Sequence, residues 1–416
     1  MERKYQIFYP GEYSEAERQA LLDAKRDAEK MAEMQKQRPQ VISEEKLLHH
    51  AFKWDPDNPL FNDKEYAAKS RWSGLYAMPG SVDMMVMGES VDRYQKVFGD
   101  AVYMANDGGT IEFFRPVRPG DVLTVVPENV PIQDITPAEG SYLRTFKMEG
   151  RGIAYDQNGE RVLSCAIYTR NSMSRYMDDG PRQTEIEKSL GWIDYLPPGH
   201  YTTEEEWEYI RALWEKEYRR GADTLYWEDV NIGDEPAWCC DGPVSALDMA
   251  KVMDVSCPTS TQMLKKGRKM LMHDPIYNMP FGGGDWHYSS LNMPGCRAIF
   301  YNFHARNYIL RMLTNWMGDD GFLKKFYWTK SIIFKEMNFE GIGGAVLDKV
   351  PYMKGKCCNR HGMEGDTCIS KGYVTAKYVD ENGGHCVDLS CWGETLDGDI
   401  IQVVEATVLL SSRENM

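Results

Sequence analysis

The chain has 416 residues, of which 42% are hydrophobic and 27% are charged, a globular composition rather than a disordered or fibrous one. At roughly 100–200 residues per domain, this length predicts two or three domains. The 63 acidic and 48 basic residues give a net charge of −15, which repels phosphate backbones and argues against nucleic-acid binding. No apolar run approaches the roughly 20 residues of a membrane span, and the N-terminus lacks the apolar core of a secretory signal. We therefore expect a cytoplasmic protein with no membrane and no nucleic-acid partner.

The ten cysteines predict reduced, mostly buried thiols rather than disulfides or a metal site. Two pairs are adjacent in sequence, Cys239-Cys240 and Cys357-Cys358, and no Cys-x-x-Cys spacing occurs. Neighbouring cysteines do not easily bridge each other, and a metal site needs spaced ligands. We expect neither a metal nor a cofactor.

The local signals change from helical to strand-like along the first half. Residues 14–38 predict a charged, solvent-facing helix with Ser14 as N-cap, ended by Pro39. From about residue 109, strand-like runs are separated by the turn sequences RPGD and YDQNGE. A linker is expected across 175–222. It contains a helix that starts at the capping box of Thr203 and Glu206.

The second half repeats the first weakly but in order. Gly120-Asp121 corresponds to Gly365-Asp366, and the turn ending at Gly159 corresponds to the turn ending at Gly383. Met78-Pro-Gly80 and Met293-Pro-Gly295 each precede a mostly apolar helix. The longest helix candidate, 300–317, is too apolar on every face to lie on a surface, so a sheet must wrap it. The order predicts an α+β fold in duplicate.

Several segments resemble the MaoC-like acyl dehydratases, which are related to the R-specific enoyl-CoA hydratases. DNPLFNDKEYA at 57–67, followed by FFRPVRPGD at 113–121, is similar to their N-terminal half. WEDVNIGDEPAWCCDGPVSALDMAKV at 227–252 is similar to the opening of their second half, and LTNWMGDDGFLKKF at 313–326 to the end of its central helix. The resemblance implies a double hotdog fold, in which two antiparallel sheets each wrap a long central helix and form a pseudo-dimer. The domains would be a helical extension (1–40), an N-terminal hotdog (41–174), the linker (175–222) and a C-terminal hotdog (223–416).

The family carries its catalytic Asp and His in a G-D-x-N-P-x-H-x-D pattern. The first copy here keeps Asn58-Pro59 and Asp63 but has Phe61 in place of the histidine. The second copy keeps Gly284-Asp285-Trp286, and a strict alignment places Ser290 at the histidine position. Both copies therefore depart from the family pattern.

Hydration of a 2-enoyl thioester requires a base for water, an acid for the α-carbon and donors for the thioester oxygen. Asp285 and His287, on the triple-glycine loop 282–284, are the best catalytic pair. The alternative is a turn acid beside a packed loop histidine. His273-Asp274 is a second candidate pair, with a surface turn as its alternative.

A further set of residues is expected to bind the substrate: Asn58, Phe61, Gly284, Trp286, Tyr288, Gly295 and His304. A structural role is the alternative for two of them. Asn58, like Asp57 and Asp63, would be a turn or cap residue, and His304 would bond a backbone carbonyl. The helix arginines Arg306 and Arg311 are expected to pair with acids such as Asp319 and Asp320, with contact to CoA phosphates as the alternative.

The sequence thus predicts a lyase of the MaoC-like type, an enoyl-CoA hydratase or 3-hydroxyacyl-CoA dehydratase. The aromatic residues near the second motif indicate a bulky, branched or aromatic acyl-CoA. A non-catalytic acyl-CoA-binding protein or inactive partner subunit is the alternative, and a hotdog thioesterase is a third. We expect a homodimer or a hetero-oligomer with a homologous subunit.

Overall fold

The charged helix expected at the start of the chain is present in the computed structural model. The structure describes residues 6–36, 38–82, 102–128, 130–141, 144–173, 200–245, 248, 271–273, 280–282, 300, 304–329, 358 and 361–415. The helices are α1 (Glu15–Lys36), α2 (Glu44–Trp54), α3 (Pro59–Asn62), α4 (Lys64–Lys69), α5 (Glu204–Lys216) and α6 (His304–Met317). The strands are β1 (Gln40–Val41), β2 (Val102–Phe113), β3 (Val122–Glu128), β4 (Gln133–Asp134), β5 (Arg144–Tyr155), β6 (Arg161–Met173), β7 (Cys239–Asp241), β8 (Leu271–His273), β9 (Pro280–Gly282), β10 (Phe322–Thr329), β11 (Cys368–Val379), β12 (His385–Glu394) and β13 (Ile400–Leu409).

Two helices begin at the capping signals that the sequence carries. The Ser14 backbone N–H donates to Glu17 Oε2 at 2.8 Å, and the Glu17 N–H donates to Ser14 Oγ at 3.2 Å. Thr203 and Glu206 form the same reciprocal pair at the start of α5. Each box satisfies backbone donors that the first turn of a helix leaves without partners. Both predicted helix starts are confirmed.

Backbone contacts divide the chain into two compact units that alternate along the sequence. The first unit comprises Met1–Leu47, Ser81–Tyr195 and Lys324–Cys357. The second unit comprises Leu48–Gly80, Leu196–Leu323 and Cys358–Met416. The domain boundaries at residues 41, 175 and 223 stay a prediction.

The first unit contains an antiparallel sheet in the strand order β1-β3-β5-β6-β2-β10, with β4 added beside β5. The long strands β5 and β6 pair along almost their whole length, from Arg144 opposite Met173 to Tyr155 opposite Arg161. Ile111 is fully buried on β2. The helix expected after Gly80 lies outside the residues that the structure describes.

The second unit is an antiparallel sheet in the order β13-β12-β11-β7, packed against α6. Every residue of α6 except Arg311 is buried, because all four strands contact the helix. A helix that is apolar on all faces must be enclosed in this way. The predicted wrapped helix is confirmed, and this is the hotdog arrangement. No helix in the described ranges has the length and apolar character needed to cross a membrane.

The internal repeat is visible as two pairs of matching turns. Gly120 and Gly365 have positive φ angles of 91° and 87°. The aspartate after each glycine accepts a backbone N–H from three residues earlier, Asp121 at 2.8 Å and Asp366 at 2.7 Å. In the second pair, Gly159 and Gly383 have φ angles of 81° and 79°. Only glycine adopts such angles without strain, so the predicted repeat has a conformational basis.

The cysteines that the structure describes are free and buried, as the sequence predicts. They are Cys165, Cys239, Cys240, Cys358, Cys368, Cys386 and Cys391. Burial raises the pKa of the Cys239 and Cys240 thiols to about 12, so these side chains behave as small apolar groups.

Candidate active site

The loop expected to carry the catalytic pair lies outside the described residues. The predicted site residues within 283–299 are Gly284, Asp285, Trp286, His287, Tyr288 and Gly295. The hairpin of β8 and β9 pairs Leu271 with Gly282 and ends where that loop begins. His273 lies in β8, and its neighbour Asp274 is again outside the described ranges. Both candidate pairs stay predictions.

Asn58 is the N-cap of α3. Its Oδ1 accepts the Leu60 backbone N–H at 3.1 Å, and its Nδ2 donates to Asp55 Oδ2 at 3.2 Å. Asp63 caps α4 in the same way, accepting the backbone N–H groups of Glu65 and Tyr66. These are the turn and cap roles that were expected as the alternative to substrate binding.

Asp55 anchors the start of this motif loop, and the sequence analysis missed it. The carboxylate is 2% exposed and forms a two-pronged ion pair with Arg219, at 2.9 and 2.6 Å. Bidentate arginine–carboxylate pairs fix geometry as well as charge. Asp55 precedes Asn58 by three residues and accepts a hydrogen bond from the Asn58 side chain. This spacing is the sequence signal for the anchoring role of Asp55.

Phe61 fills the core beneath the motif loop. It is 1% exposed, and its ring meets the Tyr76 ring edge-on with centroids 5.1 Å apart. A phenyl ring in this environment supplies neither an acid nor a base. In the first motif copy, the position of the family's histidine is therefore occupied by a core residue.

His304 is the first residue of α6 and is fully buried. Its Nε2 lies 3.1 Å from the Asp248 carbonyl oxygen. The ring is surrounded by aromatic groups, with Trp54 at 5.5 Å and Phe300 at 5.6 Å between centroids. The backbone contact is the alternative that the sequence analysis kept open for this residue, and a place next to the substrate stays a prediction.

Tyr308 lies one helical turn after His304 on the same side of α6, and the sequence analysis did not select it. Its ring also meets Trp54 edge-on, at 6.0 Å between centroids. Residues four apart on a helix share a face, so this spacing was the available signal. Arg311 follows three residues later and continues the polar face.

Arg311 joins two carboxylates on the buried side of the second unit. Its Nη2 donates to both Asp241 oxygens at 3.1 Å, and both of its terminal nitrogens bond Glu217. Burial raises the pKa of Asp241, and the charge of Arg311 opposes that shift. Burial also lowers the pKa of Arg311, but Asp241 and Glu217 outweigh it and raise the net value, so the guanidinium stays charged.

Arg311 pairs with acids as predicted, but the two acids named as examples, Asp319 and Asp320, were the wrong ones. Asp319 instead accepts the Tyr66 hydroxyl at 2.6 Å, and Asp320 accepts the Thr224 hydroxyl. Both acids follow the C-terminal end of α6, whereas Arg311 lies near its middle. Proximity in sequence therefore did not decide the pairing, and the carboxylates that meet Arg311 come from distant segments.

Arg306 is fully buried and fixes the Met78-Pro-Gly80 loop on α6. Its Nη2 donates to the Gly80 carbonyl oxygen at 3.1 Å and to Asn307 Oδ1 at 3.0 Å. Gly80 has a φ of 86°, and a Cβ at this position would lie 2.6 Å from Asn307 Oδ1. The conformation and the close approach both require glycine here.

A cavity of about 650 Å³ lies beside this polar face, entirely within the second unit. Its apolar and aromatic lining includes Phe52, Trp54, Trp214, Val244 and Tyr308. Its acidic lining comprises Asp55, Asp57, Glu217, Asp241 and Asp248, against the cations Lys53 and Arg311. The volume is typical of small-molecule sites. No three His, Cys, Asp or Glu side chains converge as a metal site would require in the part of the chain described.

Comparisons with known proteins agree with this architecture. Residues 31–165 match the family model described as FAS1-like, dehydratase domain region. A solved structure named MaoC-like dehydratase is 15% identical with a TM-score of 0.52, and the likeness covers 90% of this chain and 96% of that one. A MaoC domain protein dehydratase from Chloroflexus aurantiacus is 11% identical with a TM-score of 0.51, covering 90% and 93%. A comparison with curated proteins gives no match.

These two likenesses show the fold, because both structures match nearly along their whole length at low sequence identity. The family match covers the segment that contains the first motif copy and the strands β2 to β5. The predicted resemblance and the double hotdog fold are confirmed: the chain has the fold of solved MaoC-like dehydratases, and its residues 31–165 match the FAS1-like dehydratase region model.

Proposed function

We propose that the protein adds or removes water at the C2–C3 bond of an acyl-CoA thioester, as an enoyl-CoA hydratase or 3-hydroxyacyl-CoA dehydratase. The observation that carries the proposal is the enclosed helix α6, which begins at the buried His304 and contributes Tyr308 and Arg311 to the lining of a cavity of about 650 Å³. The first backbone N–H groups of a helix lack partners within it and attract negative charge. They suit the thioester oxygen as it gains enolate charge in the reaction.

Asp285 and His287 are the proposed catalytic pair. In hydration, the base removes a proton from water as the oxygen attacks C3, and an acid delivers a proton to C2. In dehydration the same groups act in reverse. Both residues follow the hairpin of β8 and β9 in the sequence. Gly284, Trp286, Tyr288, Gly295 and His304 are proposed to shape the substrate's place around this pair.

The first motif copy is proposed to shape the acyl pocket without reacting. Phe61 is buried against Tyr76, and the Asn58 amide is engaged with Asp55 and Leu60. Neither side chain has a proton to exchange near neutral pH. This supports a division in which one half holds the acyl group and the other half supplies the chemistry.

The acyl group is proposed to be bulky, branched or ring-bearing. The cavity presents the aromatic rings of Trp54, Trp214 and Tyr308. Flat rings bind other rings by stacking or edge-on contact, which a straight hydrocarbon chain does not use. A preference for a short, straight enoyl-CoA over aromatic or branched ones would count against this part of the proposal.

A non-catalytic acyl-CoA-binding protein is the second candidate, favoured by one observation. Phe61 occupies the histidine position of the first motif copy and is buried, so at least one copy lacks an acid–base group. Such a protein would act as an inactive partner subunit in a hetero-oligomer. A thioesterase that uses Asp285 to polarise water is a less supported third candidate.

We also propose a location in the cytoplasm and an oligomeric assembly. The described cysteines are free, as expected in a reducing compartment, and this supports the cytoplasm. A homodimer or a hetero-oligomer with a homologous subunit stays a prediction. Light scattering of the purified chain, alone and mixed with a co-purifying homologue, would distinguish the two assemblies.

The test is a panel of short, branched and aromatic 2-enoyl-CoAs, with enoyl absorbance and free CoA followed in parallel. We expect absorbance loss without CoA release in the wild type, and a rate lowered by about 10²–10⁴ in His287→Ala. Free CoA at the same rate would indicate the thioesterase. Binding without any turnover would support the non-catalytic candidate.

His200→Gln is the matched control for this histidine substitution. His200 lies 3.1 Å from Glu206 at the start of α5 and does not line the cavity. Its replacement should leave the rate unchanged. An equal loss in both variants would mean that the effect is on folding rather than on catalysis.

A further inference from the structure

Tyr308 contributes a polar side chain to the lining of the cavity. The residue is 8% exposed, lines the cavity, and packs its ring edge-on against Trp54. Among the residues that the structure describes, its hydroxyl forms no hydrogen bond. A phenol hydroxyl can both donate and accept hydrogen bonds. None of the described residues uses this capacity, so it is open to a molecule that enters the cavity.

The surroundings fix the protonation state of this hydroxyl. Burial raises the pKa of Tyr308 well above its ordinary value, and the carboxylates of Asp241 and Asp248 add to the shift. The phenol thus keeps its proton near neutral pH and acts as a donor toward an oxygen atom of a ligand.

The charges around the cavity limit what it accepts. Five lining residues are acidic and two are basic. One of the two, Arg311, is already bonded to Glu217 and Asp241. Asp55 is likewise paired with Arg219, and counting this third cation against the five acids leaves an excess of two negative charges. This excess repels anions, so the CoA phosphates are expected to lie elsewhere. Carboxylate oxygens in turn accept hydrogen bonds from a hydroxyl group on a neutral ligand.

We propose that this cavity binds the acyl part of the substrate, and that Tyr308 selects ring-bearing acyl groups that carry a hydroxyl over plain hydrocarbon ones. The proposal rests on the proposed function for the identity of the ligand as an acyl-CoA. The inference extends the proposed function by naming the chemistry of the acyl group and the residue that recognises this group. The aromatic rings would hold the ring, and Tyr308 with the nearby carboxylates would hold its hydroxyl.

The test measures binding without turnover. The probes are 3-phenylpropanoyl-CoA and its three ring-hydroxylated isomers, which are saturated at C2–C3 and so have no double bond to hydrate. Affinities are measured by calorimetry for the wild type, Tyr308→Phe and Tyr66→Phe. Quenching of Trp54 and Trp214 fluorescence provides a second readout at the cavity, because both line it.

Tyr66→Phe is the control, since it also removes one hydroxyl. Its hydroxyl bonds Asp319 at 2.6 Å and does not line the cavity. We expect the wild type and Tyr66→Phe to prefer one hydroxylated isomer by about tenfold, the effect of one good hydrogen bond. In Tyr308→Phe the preference should disappear while the plain probe binds as before.

Three outcomes would overturn the proposal. They are equal binding of all four probes by the wild type, a preference that survives in Tyr308→Phe, and no binding of any probe. Failure of the proposed function looks different, because it is the absence of hydration of 2-enoyl-CoAs. A preference lost in Tyr308→Phe, in a protein that hydrates nothing, would support the cavity and refute the hydratase.

Discussion

The indole ring of Trp54 stands edge-on to the imidazole ring of His304, with 5.5 Å between the ring centroids. Trp54 ends α2 directly before the first motif copy, and His304 begins α6. Both belong to the second unit, which includes Leu48–Gly80. The segment that carries the first motif copy therefore helps to build the surroundings of the second central helix.

Trp54→Ala should lower the free energy of unfolding by about 3–5 kcal/mol, because it removes a buried ring that contacts His304 and Tyr308. The measurement is urea denaturation followed by circular dichroism. Phe52→Ala is the control on the same helix, and its side chain is 69% exposed. Its effect should stay within about 0.5 kcal/mol. Similar losses in both variants would show that Trp54 is not part of the core.

Arg311→Met should destabilise the protein by about 3–5 kcal/mol, because two carboxylates lose the cation between them. Combining it with Glu217→Gln and Asp241→Asn should restore part of the loss, since the unpaired charges are then removed. Arg26→Met is the surface control. Arg26 is 73% exposed beside Asp23, and its replacement should cost less than about 1 kcal/mol. The measurement is again urea denaturation. An unchanged denaturation midpoint for Arg311→Met would show that the two carboxylates do not need the cation for stability.

The local features of the fold were predictable from sequence because few adjacent residues determine them. The capping boxes at Ser14 and Thr203 and the glycine turns at Gly120 and Gly365 each depend on four or five neighbouring positions. The enclosed helix was also predictable, since a helix that is apolar on all faces has no stable place at a surface. These elements were confirmed.

Side-chain partners across the chain were not predictable in the same way. Asp319 and Asp320 are close to Arg311 in sequence, yet Arg311 bonds Glu217 and Asp241 instead. That choice depends on which segments the fold brings beside the middle of α6. Tyr308 was missed for a related reason: its spacing from His304 places both residues on one face of α6, but the sequence does not show that Tyr308 lines a cavity.

The buried His50 should make stability depend on pH. Burial, then the charge of Arg306, lowers the pKa of His50 from 6.5 to about 3. Between these values the unfolded chain binds a proton that the folded protein does not. The free energy of unfolding should therefore fall as the pH falls from 6.5 towards 3.

His50→Leu should remove this contribution. The slope of the unfolding free energy against pH should then decrease by up to the amount that one bound proton contributes. Neither ring nitrogen of His50 has a hydrogen-bond partner among the described residues, so leucine removes no bond there. Urea denaturation at several pH values between 4 and 7 provides the measurement. Parallel slopes for the wild type and the variant would contradict the assignment.

Asp63→Ala should cost about 1 kcal/mol of stability, because the carboxylate caps the first turn of α4. Asp63→Asn keeps an acceptor at the same place and should lower the stability by only about a few tenths of a kcal/mol. Thermal denaturation of the two variants tests the cap, and hydration rates should not change in either. A rate lost in both variants with normal stability would instead give Asp63 a part in the chemistry.

The central claim, hydration of an acyl-CoA, is tested most directly by mass spectrometry of an aromatic 2-enoyl-CoA incubated with the protein in ¹⁸O-labelled water. We expect an intact thioester that has gained one labelled water molecule, formed by the wild type and not by His287→Ala. Labelled free acid with released CoA, or an unchanged enoyl thioester that binds the protein, would contradict it.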